Sequence, residues 1–112
     1  MQFDFYHPGR PVPKGRPRFT KRGGVYTPKD TILAEQELTL AYIAASGPNF
    51  DGAISLDVEF SVEGTNVSII EEEWDSPLRG DLDNYLKTVL DGLEGVAFAN
   101  DRSVVGIYAR KT

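Results

Sequence analysis

Cysteine is absent from the 112-residue sequence, and histidine occurs once, as His7. Disulfides and thiolate metal sites are therefore excluded, and any metal ion must be held by carboxylates or by that imidazole. Long hydrophobic runs are also missing: none approaches the ~20 apolar residues that cross a bilayer, and residues 1–10 lack the apolar segment of a signal peptide. We therefore expect a cytoplasmic protein that does not contact a membrane.

The first 29 residues are poor in negative charge, and the remaining residues are poor in positive charge. Residues 1–29 carry seven basic residues against one acidic residue, a net charge of +6, whereas residues 30–112 carry five basic and 16 acidic residues, a net charge of −11. The basic part is suited to phosphate. The acidic part would repel nucleic acid unless a cation neutralises it.

The first third of the sequence predicts one strand, a loop and a helix. Period-two phenylalanines predict a strand over Gln2–Tyr6. Five prolines and four glycines predict extended or looping backbone over residues 7–28, with a turn at Gly23-Gly24 and basic side chains projecting from it.

A helix is predicted to follow this loop. Thr27-Pro28-Lys29-Asp30 has the form of a helix start, with a hydroxyl cap, proline in the first helical position and a carboxylate three residues after the cap. The helix should end near Ala45. Its predicted core stripe is Leu33, Leu40, Ala41 and Ala44, and its second apolar face, which we expect to meet another subunit, is Leu38, Tyr42 and Ile43.

Three further strands are predicted from alternation and apolar runs. Residues 54–62 alternate apolar with polar side chains, which indicates a strand with one buried face. A turn at residues 64–66 leads to a strand over 67–70, and residues 103–110 form the last strand. With a second helix before the last strand, the pattern predicts an α+β fold. We expect a single small domain over residues 1–112, with a mixed β-sheet of about four strands packed by two helices.

The second helix, residues 81–94, is the most regular element. Its apolar side is formed by residues with helical spacing: Leu82, Tyr85, Leu86, Val89, Leu90 and Leu93. The charged residues Asp83, Lys87, Asp91 and Glu94 share a neighbouring face, and Asp81 stands at the helix start. A purely structural interpretation makes Asp81 a cap for the amides of the first turn and pairs Asp83 with Lys87.

A metal site is the alternative interpretation of these acids. Asp81 and Asp83 are close enough to share one ion, and the chain returns through Asn100-Asp101 just before the last predicted strand. If helix and strand pack side by side, Asp81, Asp83 and Asp101 form an all-oxygen pocket suited to Mg²⁺, which leaves room for a substrate phosphate.

The stretch RGDLDNYLKTVLDGLEGVAFANDRSVV, within residues 79–111, resembles the RusA-type Holliday junction resolvases of bacteria and their phages. GRPVPKGRPRFTKRGGVYTP, residues 9–28, is similar to the phage-borne branch of that family. The resemblance implies a magnesium-dependent endodeoxyribonuclease, acting as a homodimer in the bacterial cell or phage-infected host. Such an enzyme cuts four-way DNA junctions symmetrically during recombination and repair.

The resemblance also implies residue roles. Asp81, Asp83 and Asp101 would bind the metal, Lys87 would be the essential lysine of the catalytic helix, and Asp91 matches a further motif aspartate. Asn100 stands where many relatives have another acid, so Asp101 would be the third ligand by itself.

The basic loop would bind DNA phosphates, with Phe19 and Tyr26 able to stack at the opened centre of the junction. Its cations are Lys14, Arg16, Arg18, Lys21, Arg22 and Lys29. A solvated basic loop, a non-catalytic DNA-binding or phage-assembly adaptor, and a less selective branched-DNA nuclease remain alternatives.

Overall fold

A three-stranded antiparallel sheet organises the first part of the chain in a computed structural model, which describes residues 1–15, 18–19, 23–26 and 28–112. The described strands are β1 (Gln2–Pro8), β2 (Arg18–Phe19), β3 (Val25–Tyr26), β4 (Ile54–Phe60) and β5 (Gly64–Glu71). The helices are α1 (Lys29–Ala44) and α2 (Leu82–Leu93). The sheet order is β1-β5-β4, so the small α+β class predicted from the sequence is confirmed, with an antiparallel sheet of three strands.

Strand β1 confirms the period-two pattern and runs two residues further than predicted. Its residues alternate between exposed and half-buried along the whole strand, because β1 pairs with β5 and one face is turned towards α1. Phe3 and Phe5 are on the half-buried face. Pro8 ends the strand, where its missing N–H costs no ladder hydrogen bond.

The β4–β5 connection turns earlier than predicted. Gly64 and Thr65 were expected in the turn, but they belong to β5 and pair with Pro8 and His7 of β1. Ser61 explains the difference, because its Oγ accepts from the amides of Glu63 and Gly64 at 3.3 Å each and closes the turn immediately after β4.

Part of the basic loop forms a two-stranded hairpin, in which Arg18 pairs with Tyr26 and Phe19 with Val25. Gly23 lies between the two strands with φ of +85°, which agrees with the turn predicted at Gly23-Gly24. The predicted Thr27 cap and three of the predicted DNA-binding residues, Arg16, Lys21 and Arg22, lie outside the described residues.

Helix α1 has the predicted length but packs through a different side. It begins at Lys29, so Pro28 occupies the cap position rather than the first helical position. Tyr42 packs edge-on against Phe3 and Phe5 of β1, with ring centroids 5.4 and 5.2 Å apart. Tyr42 was predicted on the second face, whereas the predicted stripe residue Leu40 is 64% exposed. The sequence could not choose a side because apolar residues are spread almost evenly around this helix.

Apolar side chains are only partly covered. Among the described residues, none of the large hydrophobic ones is buried, and the buried polar residues are Thr31, Thr65 and Ser76. The predicted buried face of β4 is wrong for the single chain, since Leu56 and Phe60 are 60% and 68% exposed. The physical reason is that α1 packs against β1, at the opposite edge of the sheet from β4.

The chain divides into two compact units, Met1–Glu72 and Glu73–Thr112. The second unit contains α2 and a 3₁₀ turn at Asp101–Ser103. The last predicted strand is wrong: residues 104–112 form no ladder, because a strand requires a partner and the described strands all lie in the other unit. No helix in the described ranges is long and apolar enough to span a membrane.

Candidate active site

The loop before α2 is held by contacts from both sides. The phenolic oxygen of Tyr85, one turn into the helix, accepts a hydrogen bond from the Gly80 amide at 3.1 Å. Lys111 Nζ donates to the Gly80 carbonyl at 3.1 Å. A Cβ on Gly80 would lie 2.8 Å from the Tyr85 ring, so glycine is required for this close approach. These contacts fix the backbone that leads into Asp81.

Asp81 occupies the cap position of α2 with its carboxylate uncommitted. Its carbonyl oxygen accepts from the amides of Asn84 and Tyr85 at 3.0 and 3.2 Å, which begins the helix. The predicted side-chain capping bond is wrong: the described helix start has no side-chain cap hydrogen bond. The Asp81 carboxylate is therefore available to a ligand.

The charged face of α2 is exposed and carries Asp83, Lys87 and Asp91. The structural interpretation paired Lys87 with a neighbouring acid, but none of the ion pairs in the described part of the chain includes Lys87, Asp83 or Asp91. Lys87 stands one turn beyond Asp83. At 1.5 Å per residue, Asp91 stands about 12 Å beyond Asp83 along the helix axis. Asp83 and Lys87 are thus the two members of this face nearest the helix start.

Asp101 lies at the opposite end of α2 from Asp81. Its amide donates to the Glu94 carboxylate at 3.1 Å, and Glu94 is the C-terminal cap residue of the helix. A 12-residue helix is about 18 Å long, so a Glu94 side chain cannot bring Asp101 near the first turn. Within one chain, Asp81 and Asp83 lie two residues apart at the start of α2, and Asp101 does not join them.

The donor set fits a hard divalent cation only in part. Asp81 and Asp83 supply the oxygen ligands that Mg²⁺ prefers. The described residues hold no group of three or more His, Cys, Asp or Glu side chains placed to bind one metal ion. The start of α2 therefore offers two carboxylates from one chain, fewer than the three that the sequence predicted.

Lys14, Arg18 and Lys29 are the predicted DNA-binding residues within the described ranges. Lys14 is exposed and pairs with Glu35 of α1 at 3.2 Å. Lys29 is exposed at the first position of α1, and Arg18 lies in β2. Because Lys14 and Lys29 remain solvent-accessible, a phosphate can reach both ammonium groups.

The contacts of two residues near the acids were missed by sequence reasoning. Lys111 anchors the last residues of the chain beside Asp81 through the Gly80 carbonyl. Asn100 closes the 3₁₀ turn, accepting from Arg102 N at 2.9 Å and Arg102 Nε at 3.3 Å. The basic pair at 110–111 within an otherwise acidic part of the sequence was the available signal for Lys111. Asparagine is a preferred cap residue, so Asn100 ahead of Asp101 was itself the available signal for this turn.

A small α+β protein with uncommitted acids at a helix start and a lysine one turn further on has the side chains of a metal-dependent nuclease. The model of the family Endodeoxyribonuclease RusA matches residues 8–112, and the chain belongs to this family. Its members are Holliday junction resolvases of recombination and repair that bind branched DNA and depend on a metal ion. Neither a curated protein nor a solved structure matches the chain.

Proposed function

We propose that this chain is a Mg²⁺-dependent endonuclease that resolves four-way DNA junctions by paired, symmetric cuts as a homodimer. The observation that carries the proposal is the free carboxylate pair Asp81 and Asp83 at the start of α2, in a chain of an endodeoxyribonuclease family. Mg²⁺ suits the oxygen donors and the absence of cysteine.

Asp81 and Asp83 would hold the ion, and Lys87 would lie beside the scissile phosphate. A bound Mg²⁺ supplies acidified water and charge neutralisation at the phosphate. The amino-terminal end of α2 adds a positive dipole end that favours a phosphate at the same place. Lys87 then contributes a full positive charge one turn along the helix, where it stabilises negative charge that develops on the phosphate oxygens. Asp91 is proposed as a further acid of this face.

The third carboxylate is proposed to be Asp101 of a second copy. In a two-fold pair, a helix that packs against its own copy in antiparallel orientation places its start beside the other helix's end. Asp101 is joined to that end through Glu94. Two such sites arise in one dimer, each with Asp81 and Asp83 from one copy and Asp101 from the other.

The apolar stripe of α2 is the proposed contact. None of its residues is buried, and Tyr85, Val89 and Leu93 are 40%, 55% and 42% exposed. Covering such a stripe is favourable at about 25 cal/mol per Å² of apolar surface. A two-fold enzyme also presents two equivalent sites to the two strands of like polarity that must be cut.

The basic part of the chain is proposed to bind the DNA backbone. Residues 1–29 carry a net charge of +6, which attracts phosphates that the acidic remainder would repel. Lys14 and Lys29 are the exposed members of the predicted DNA-binding set within the described ranges. Arg16, Arg18, Lys21 and Arg22 complete the proposed set.

Cleavage of equimolar four-way junction, forked DNA and linear duplex, with Mg²⁺ or with EDTA, tests this function. We expect paired cuts in the junction with Mg²⁺ only, and loss of cutting in Asp83→Asn with junction binding retained. Asp51→Asn, an exposed acid in the loop before β4, is the matched control and should cut like the unaltered chain.

Three outcomes would contradict the proposal in different ways. Binding without cutting in every condition would indicate a non-catalytic adaptor. Equal cutting of forked DNA and junction would indicate a less selective nuclease. Full activity of Asp83→Asn would remove the acid pair from the site.

A further inference from the structure

A groove lies between one end of the sheet and helix α1. Its floor is a row of three side chains across the sheet: Thr65 of β5 is the register partner of both His7 of β1 and Phe60 of β4. Adjacent strands are about 4.8 Å apart, so the row is about 10 Å wide. The chain from Pro8 to Lys14 forms one wall, and the part of α1 from Thr31 to Leu38 forms the other.

The walls are fastened to each other and to the sheet. Gly9 N donates to the Glu63 carbonyl at 2.8 Å, which joins the loop wall to the β4–β5 turn. Gly15 N donates to Thr31 Oγ1 at 2.9 Å, and Lys14 pairs with Glu35, which joins the loop wall to α1. The groove therefore has a built shape, with a cavity volume of about 200 Å³.

The two buried polar residues of the first unit belong to this groove. Thr31 and Thr65 are 4% and 8% exposed, and both line it. Phe60, in contrast, is 68% exposed at the groove's open side. The groove thus combines two buried hydroxyl-bearing side chains with an accessible aromatic face.

The two walls carry opposite charges. Arg10 and Lys14 line the loop wall, and Glu35 and Glu37 line the helix wall. An occupant that satisfies both walls needs an anionic group on one side and hydrogen-bond donors on the other. It also needs a flat apolar face for Phe60. A nucleotide has all three features: a phosphate, an exocyclic amino group on cytosine, adenine or guanine, and a base that stacks.

We propose that this groove binds one unstacked nucleotide at the branch point of the DNA substrate. The base stacks on Phe60, Arg10 and Lys14 contact its phosphate, and Glu37 accepts from the exocyclic amino group. Lys14 exchanges Glu35 for the phosphate on binding. The inference rests on the proposed function, because it takes branched DNA as the ligand. It predicts that the groove prefers bases with an exocyclic amino group over thymine.

Fluorescence anisotropy with labelled forked DNA tests the groove in EDTA, so that cleavage plays no part. The fork carries one unpaired cytosine or thymine at its branch point, and linear duplex is measured alongside. We expect Phe60→Ala to weaken fork binding about tenfold, as for loss of one stacked base, with duplex binding unchanged. Glu37→Gln should remove a preference for cytosine over thymine of about fivefold.

Matched variants separate stacking from packing. Val62→Ala is the control, because Val62 is also 68% exposed and lies in the β4–β5 turn rather than in the groove. Phe60→Trp should retain fork binding, since a larger aromatic ring still stacks. Phe60→Leu should weaken fork binding as much as Phe60→Ala does, since it keeps apolar contact and loses the ring.

Four outcomes would overturn the inference, and a fifth would refute the proposed function. Fork binding by Phe60→Leu at the level of the unaltered chain would show that Phe60 only packs. Equal losses for fork and duplex would place the effect outside the branch point. Dissociation of a dimer by Phe60→Ala in sedimentation would make this surface a contact between copies. Absence of fork binding by the unaltered chain would instead refute the proposed function, whereas normal fork binding by Phe60→Ala would refute the groove alone.

Discussion

The amide of Asp101 donates to the carboxylate of Glu94 at 3.1 Å, and this contact places Asp101 at the end of α2 that lies farthest from Asp81. A second relationship leads to the same arrangement. Lys111, ten residues after Asp101, contacts Gly80 at the start of the helix. Residues 104–112 therefore run back through the second unit from the end of α2 to its start. Asp101 stays at the end of the helix, away from Asp81 and Asp83.

Complementation between inactive copies is the first prediction. A chain with Asp81→Asn and Asp83→Asn is mixed with a chain that carries Asp101→Asn, after joint unfolding and refolding. If each site takes Asp101 from the other copy, a mixed dimer contains one intact site. We expect nicking of one junction strand. Random pairing makes about half of the dimers mixed, and each has one intact site of two, so about a quarter of the sites of the unaltered dimer are active.

The control for this mixture is each inactive chain refolded alone, which should not cut. If mixed dimers form and no nicking returns, Asp101 does not act across the two-fold axis. Full paired cutting would also contradict the arrangement, since only one site of a mixed dimer is intact.

Lys87→Ala should separate binding from chemistry. The described residues provide no ion pair for Lys87, so its removal leaves no acid newly unpaired. We expect the cleavage rate to fall roughly 100-fold, as for loss of one charge-stabilising group, with junction affinity within about twofold. Single-turnover cleavage and anisotropy measure the two quantities. Unchanged cleavage would remove Lys87 from the mechanism.

The basic segment should determine the salt dependence of DNA binding. Removing one phosphate contact lowers the slope of log affinity against log salt by about 1. We expect this change for Lys29→Gln, which alters an exposed cation at the start of α1. Arg110→Gln, in the acidic part of the chain, serves as the charge-matched control. Equal slopes for the unaltered chain and Lys29→Gln would show that Lys29 does not contact a phosphate.

Lys111→Ala should loosen the loop that carries Asp81. Lys111 Nζ donates to the Gly80 carbonyl. Without this side chain, the described residues leave Gly80 only the hydrogen bond from its amide to the Tyr85 hydroxyl. We expect weaker Mg²⁺ binding, by about fivefold, since the charged hydrogen bonds from Lys111 to the Gly80 and Leu78 carbonyls are both lost. Calorimetric titration measures the change, and Lys111→Arg should restore most of the affinity. An unaltered titration would show that the loop keeps its shape without this contact.

Asp4 should make the sheet sensitive to acid. Hydrogen bonds from Ser68 and then Gln2 lower the pKa of Asp4 from its ordinary value of 3.8. Because the folded-state pKa is the lower one, this stabilisation is complete above about pH 4 and is lost as the pH falls through the folded-state pKa. Asp4→Asn should therefore lower the Tm near pH 6 and differ less from the unaltered chain near pH 3.

Two donor variants check the cause of this acid sensitivity. Ser68→Ala should flatten the pH dependence of the Tm more than Gln2→Ala, because the Ser68 hydrogen bond is the larger cause. A pH profile that is identical in Ser68→Ala and the unaltered chain would show that the β1–β5 pairing of Asp4 with Ser68 does not hold this carboxylate.

The sequence by itself determined the elements with strong local signals. The α2 boundaries follow from helical spacing of apolar residues and a start at Asp81, and the structure agrees within one residue. The β1 strand follows from two alternating phenylalanines. The family followed from one motif, DLDNxxKxxxDxL, and from the basic segment before α1.

Only the tertiary structure decided which faces pack and which acids meet. Tyr42, rather than Leu40, contacts the sheet because packing depends on where α1 crosses β1, and periodicity does not contain that information. Residues 104–110 have a strand's pattern but pair with none of the described strands, since β-structure is completed by long-range pairing. For the same reason, the distance of Asp101 from Asp81 was set by the path of the returning chain rather than by any local preference.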